Sequence, residues 1–346
     1  MKFRNREALQ IENDALRLTV LKGGGHVAEI LHKKTGINPL WTPPWASIEP
    51  SEYDPATHPQ YGLNQESKLL SGIMGHNLCL DIFGPPSPEE LRAGISVHGE
   101  ASVACYDGKI GDQQVHITAL LGHSNLRITR TISLDDNGIF VRFREQVENL
   151  SSIDRPIAWT QHVTLGPPFL EPGKTQFHIP PERSRVFESV GFDAGGLIRG
   201  ADFTWPYAPT HKNSVTDLRC FASNGRSSSF TTHLIDQTLD KAFFVAYMPS
   251  VQLLFGYEWK RKDFPWLGVW EENQSRLEQP WQGNTVACGM EFGVSPFPET
   301  KEQMVERGRL FGVPTFRWLR AREQMTLHYS AYIREGNGIP HAFSVQ

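Results

Sequence analysis

Two short segments hold the side chains best suited to chemistry. The first, Thr160-Gln161-His162-Val163-Thr164-Leu165, is an apolar strand-like run closed by Gly166-Pro167-Pro168, so an imidazole sits near a strand end. The second, Trp266-Leu267-Gly268-Val269-Trp270-Glu271-Glu272-Asn273, is a Trp-rich strand ending in two adjacent carboxylates. Successive side chains on a strand point to opposite faces, so at most one of Glu271 and Glu272 faces a given pocket. An imidazole and a carboxylate on the rim of an aromatic cleft suit sugar-ring chemistry. Opening a cyclic hemiacetal needs a base for the proton of the C1 hydroxyl and an acid for the ring oxygen. This pair can serve both roles near neutral pH. No cofactor is expected, neither metal nor redox group. Each residue alone also has a bland reading, as a satisfied core histidine or a solvated strand end. A further carboxylate, Glu291 in Gly289-Met290-Glu291-Phe292-Gly293, interrupts an apolar strand and is read as structural or as support behind a site.

The elements that position these groups read as strands. Leu16, Leu18 and Val20 alternate with polar residues; Gly23-Gly24-Gly25 breaks the run and 26–30 resumes it. No helix pattern with Lys-Ser/Thr follows the glycines, which sets a phosphate cradle aside. Leu126, Ile128, Ile132 and Leu134 alternate up to Asp135-Asp136-Asn137-Gly138, and Ile139, Val141, Phe143 and Val147 resume the pattern, a hairpin signal. Further strands are expected at 95–106, 114–121, 156–164, 229–235, 242–248, 252–259, 266–273 and 285–293, with a last one near Met325, Leu327 and Tyr329. One helix is expected from Thr300, where Thr300 and Gln303 form a capping box, with Gly312 and Pro314 closing the segment. The Pro- and aromatic-rich stretch 39–70 lacks periodicity. Trp41, Trp45, Tyr53 and Tyr61 would anchor it as an ordered surface loop.

The 346 residues permit two domains, but no composition break or internal repeat divides them. The pattern therefore predicts one all-β domain over 1–346, a large antiparallel β-sandwich with few short helices. The net charge of −4, without basic clusters, gives no footprint for nucleic acid. No membrane association is expected, because no apolar run approaches a transmembrane span and the first twenty residues have no signal-like core. Cys79, Cys105, Cys220 and Cys288 form no CxxC pair and read as reduced thiols of a cytoplasmic protein. Nine Trp are many for this length. Most would pack the core, but a Trp face also suits the C–H side of a pyranose, so the expected partner is a small-molecule sugar. No oligomeric state is read from the sequence.

The order and character of these blocks resemble the aldose 1-epimerase (galactose mutarotase-like) superfamily, whose fold is a β-supersandwich. Val97-His98-Gly99 is similar to the family's first His motif, Gln161-His162-Val163 to its second, and Val269-Trp270-Glu271-Glu272-Asn273 to its late Glu block. The resemblance implies Glu271 as general base, His162 as general acid and His98 as a substrate contact. Trp270 and Glu272 are further contacts, and a one-residue slip would make Glu272 the base. Where the family has an Arg-containing block this chain reads Ile73-Met74-Gly75-His76-Asn77-Leu78-Cys79-Leu80-Asp81, so His76, Asn77 and Asp81 are the polar candidates there. Asp202 is the candidate for the family's substrate-binding Asp. Alternatives are a non-catalytic sugar-binding protein or a lyase or hydrolase on the same fold. A hydrolase would need Asp81 or Glu100 to complete a carboxylate pair.

Overall fold

The strand Leu126–Leu134 shows why this chain folds as sheets. Its residues alternate between buried and accessible positions, with Leu126, Ile128, Ile132 and Leu134 inward. Each such side chain contributes about 1.5–3 kcal/mol when fully buried. The strand pairs antiparallel with Phe140–Asn149, from Leu126 opposite Asn149 to Leu134 opposite Val141. The structure, a computed structural model, describes residues 1–135, 138–189, 195–223 and 225–339. Asp136 and Asn137 of the expected hairpin turn therefore lie outside the described residues.

Two large antiparallel sheets result. The eight-stranded sheet runs Gln176–His178, Lys241–Met248, Leu253–Lys260, Gln324–Glu335, Phe140–Asn149, Leu126–Leu134, Gln114–Leu121 and Asp107–Gly111. The centre of the twelve-stranded sheet runs His76–Asp81, Arg155–Leu165, Val286–Gly293, Trp266–Asn273 and Ser227–Ile235. One apolar cluster draws on both sheets, including Leu78, Val163, Leu267, Met290 and Phe292 from the larger and Ile128, Phe143, Phe255 and Tyr257 from the smaller. The chain is thus an all-β sandwich. No helix among the described residues is long and apolar enough to cross a membrane.

A polar knot is enclosed within this core. Arg130 and Glu145, both fully buried, pair at 2.8 Å. Glu145 also accepts from Trp159 Nε1 at 3.0 Å, Gln161 Nε2 at 2.6 Å and Tyr329 Oη at 2.7 Å. His76 joins the knot through Gln161 Oε1 and Tyr257 Oη, each at 3.0 Å. Buried charges must be paired and hydrogen-bonded in this way, and the knot fixes the register of the strands it links.

Helices are short. Lys301–Arg307 has the expected capping box from Thr300 and Gln303, but it ends at Gly308, and a small hairpin (Arg309–Leu310 with Val313–Pro314) follows. A second capped helix, Pro88–Arg92, uses Ser87 and Glu90, a signature visible in the sequence but overlooked there. The strand expected at 95–106 is a loop. Gly94, His98 and Gly99 have positive φ, and short-range bonds such as Gly99 N–H to Ser96 O replace a ladder. Its apolar residues Val97 and Val103 pack against Trp41, Leu69, Leu70 and Trp281 instead.

Candidate functional site: a histidine-based cleft

The face of the larger sheet that turns away from the sandwich core carries a cleft of about 350 Å³. Strand alternation decides what reaches it. On Arg155–Leu165, Gln161 and Val163 enter the core, whereas His162 and Thr164 line the cleft. On Val286–Gly293, Met290 and Phe292 are core, and Glu291 faces the cleft opposite His162 in the strand register. Trp270 arrives by the same parity from Trp266–Asn273.

Three of these groups meet at its base. His162 Nε2 lies 3.2 Å from Glu291 Oε1, and the rings of His98 and His162 are 4.8 Å apart. Burial pushes the Glu291 carboxyl well above its usual range and holds His162 well below its own. Both shifts favour a neutral pair in which the carboxyl O–H donates to Nε2. His162 Nδ1 then carries the hydrogen and faces Thr164 Oγ1 at 3.0 Å. His98 Nδ1 donates to the carbonyl of Phe83 at 2.6 Å. That bond leaves Nε2 as the unprotonated nitrogen of a ring whose pKa burial also lowers. His98 adopts φ 66°, the left-handed region, a cost of order 1 kcal/mol that packing must hold in place. The strand supplies room for Glu291: a Cβ on Gly289 would stand 2.3 Å from Oε1.

One wall is aromatic. Trp41 and Trp281 stack with centroids 6.2 Å apart, and Trp45 meets both edge-on. Trp270 meets Trp281 edge-on and lies 6.2 Å from His162. Trp41 and Trp45 belong to the 39–70 loop, which is ordered as expected: Trp45 Nε1 donates to Leu70 O and Tyr61 Oη to Ala46 O. A buried Arg6 ties the loop down, with Nη1 bonded to Ser47 Oγ and Gly72 O, Nη2 to Gly23 O, and Nε paired with Glu49 at 2.9 Å. The loop also brings Glu66 into the cleft. Its carboxylate holds Arg276 at 2.8 Å, Glu278 takes the same guanidinium at 2.7 Å, and the guanidinium lies over Trp281.

The remaining sequence candidates are elsewhere. Glu271 points to the other face, where its carboxylate accepts from Ser227 Oγ at 3.0 Å and Ala222 N at 3.4 Å. Glu272 is buried and accepts from Ser275 N and Oγ and from Arg276 N, capping the turn after its strand. The expected meeting of His98, His162 and Glu271 is therefore replaced by His98, His162 and Glu291. His76 is locked into the core knot. Asn77 shares the cleft-side face opposite His162, but it is buried below the lining, and its amide has no hydrogen-bond partner among the described residues. Asp81 is held by Arg155 at 3.0 Å and by Lys301. Asp202 pairs with Arg183 and Arg185 on the surface. Glu100 accepts from His123 N and Ser124, so neither it nor Asp81 faces a second carboxylate across the cleft. No group of three or more His, Cys, Asp or Glu side chains is arranged as metal ligands among the described residues.

This architecture of two large antiparallel sheets is the galactose mutarotase-like fold. Comparison with solved structures shows that fold directly. A candidate aldose 1-epimerase from Klebsiella pneumoniae superposes with a TM-score of 0.71 at 13% identity, covering 97% of this chain and 82% of the other. Galactose mutarotase-like proteins from Lactobacillus casei and Clostridium acetobutylicum each give 0.59 at 14% identity. The first covers 95% of this chain and 100% of the other, the second 97% of each. No model of a known protein family and no curated protein matches the sequence.

Proposed function

We propose that the protein opens and recloses the hemiacetal ring of an unphosphorylated aldose, a cofactor-free isomerase of the aldose 1-epimerase kind. The observation that carries this is the His98–His162 contact at 4.8 Å with Glu291 behind His162, at the base of a Trp-walled cleft. Ring opening moves one proton on and one off two oxygens borne by the same carbon. A free ring nitrogen on His98 and a carboxyl-backed imidazole on His162 are close enough for that task.

His98 Nε2 accepts the proton of the C1 hydroxyl. His162 passes the hydrogen on Nδ1 to the Thr164 hydroxyl, whose own hydrogen goes to the ring oxygen, while Glu291 gives its carboxyl proton to Nε2 and the C1–O bond breaks, giving the open-chain aldehyde. Rotation about C1–C2 and the reverse transfers close the ring with C1 inverted. The residues return to their starting states, so no external acid, base or electron carrier is consumed. The Trp wall takes the C–H face of the sugar.

The charge of the lining favours a neutral substrate. Arg276 is the one cation among the described lining residues, and Glu66 and Glu278 both bind it. A phosphate there would meet an occupied guanidinium and a surplus carboxylate.

The test follows anomer equilibration of freshly dissolved aldoses by NMR, comparing wild type with His98→Ala, His162→Ala and Glu291→Gln. Acceleration by wild type that all three variants lose supports the reading. Acceleration undiminished in His162→Ala and Glu291→Gln overturns the roles. Tryptophan quenching by sugars without any acceleration replaces catalysis with binding.

A further inference from the structure

A second concavity, about 930 Å³, lies between the turn after Leu253–Lys260, the end of the helix Lys301–Arg307 and the strand Arg317–Leu319. Its lining includes Arg261, Lys262, Arg307, Arg309 and Arg317 and no aspartate or glutamate. In a chain of net charge −4 this is a local reversal of sign. Arg307 is matched by Glu299 and Glu188. The other four have no carboxylate partner among the described residues.

Two of the four are partly withdrawn from water. Arg317 Nη2 donates to the carbonyls of Asp263 at 2.6 Å and Lys262 at 3.2 Å, and the one other bond of its guanidinium among the described residues is Nη1 to Met325 Sδ at 3.5 Å. Burial lowers its pKa, with Asp263 and Glu323 opposing only through the field. Arg261 Nε reaches Ile235 O at 3.4 Å, while Nη2 is buried without a hydrogen-bond partner among the described residues. Desolvated guanidinium groups bonded to neutral acceptors, and clustered with like charges, are best compensated by an anion. Beside them Trp318 is 55% exposed, with Phe316 set against it edge-to-face at 5.6 Å. An exposed indole beside a cationic pocket offers a pyranose a flat partner for its C–H face and its acid group a counter-charge.

We propose that this groove is a binding site for an anionic saccharide, its carboxylate or phosphate held by Arg261, Lys262, Arg309 and Arg317 and its ring on Trp318. A nucleic acid is disfavoured because the cations gather in one hollow and do not track a backbone. The site is separate from the histidine cleft, and its test is a binding measurement that does not depend on isomerase activity.

Calorimetric titrations at low salt would compare a trigalacturonate, a hexose phosphate, a neutral trisaccharide and inorganic phosphate. Variants Trp318→Ala and Lys262→Ala/Arg309→Ala alter exposed side chains and leave the buried arginines in place. At least one anionic sugar should bind about tenfold more tightly than the neutral one and weaken as salt rises. Trp318→Ala should cost about fivefold, and the double variant, which removes two of the four cations, should weaken the salt dependence to about half. Which of the two anionic sugars binds identifies the acid group. Several results would overturn the proposal: no binding by either, equal binding of inorganic phosphate with no loss in Trp318→Ala, displacement by a neutral aldose that fills the cleft, or tighter binding of single-stranded RNA.

Discussion

Replacing Glu291 by Gln separates chemistry from packing. The amide keeps the shape of the carboxyl and fits the space that Gly289 leaves. Its N–H can donate to His162 Nε2, 3.2 Å from the present Oε1. It cannot release a proton. A positioned general acid contributes 10²- to 10⁴-fold, so kcat should fall by about that factor, ~2.7–5.4 kcal/mol in the barrier. KM should change little, because the Trp wall and the Glu66–Arg276 pair are untouched. A second reading comes from stability. The folded-state pKa of Glu291 lies above its unfolded value, so its stabilising contribution is complete below the unfolded carboxylate pKa and is lost as pH rises through the folded one. Glu291→Gln escapes that loss. Its melting temperature relative to wild type should therefore climb as pH rises above the ordinary carboxylate value of about 4.5. Anomer exchange by NMR and thermal melts across that range measure both. Activity retained within threefold would refute the proton-transfer role. An equal drop in melting temperature at every pH would make Glu291 a structural residue instead.

Other outcomes follow from the same geometry. Glu66→Gln frees part of the Arg276 guanidinium and should raise kcat/KM for a hexose 6-phosphate relative to the free hexose by about tenfold; a ratio that does not move removes Glu66 as the selector. Glu271→Gln, away from the cleft, should leave anomer exchange within twofold of wild type. His26 and His233, held neutral by burial with pKa values of about 3, stabilise the fold fully above their unfolded pKa of ~6.5. As pH falls from there towards about 3, each should cost about 1 kcal/mol per pH unit, read as the difference in urea midpoint between wild type and His233→Gln at pH 7, 6 and 5, with a pH-independent difference contradicting the assignment. Arg130→Met leaves Glu145 buried without its counter-ion and should cost about 3–5 kcal/mol by the same urea titration.

The sheet was legible wherever one face is wet. The strands 114–121 and 126–134 alternate cleanly, and the expected positions match the observed ones. The 95–106 stretch deceived because its apolar residues meet a Trp cluster from other segments, a contact with no local period. The site histidines were readable as strand-end and His-Gly signals. The carboxylate was not, although parity held the answer. Trp270 and Glu271 cannot share a face, and Glu291 alternates with Met290 and Phe292 in a way that aims it opposite the core. Glu66 carried no signal at all, since it reaches the cleft only through a fold of the 39–70 loop.

That loop gives the first strands an influence out of proportion to their place in the chain. Arg6 joins the loop at Ser47 and Glu49, and Gly72 just beyond it, to the turn at Gly23, yet lines no part of the cleft. The geometry around Glu66 and the tryptophans is in effect governed at a distance. Changes that loosen Arg6–Glu12 should reach the cleft through the loop and alter the affinity of the ligand it holds. A random search for variants with new sugar preferences should return substitutions near Arg6 alongside those in the cleft itself.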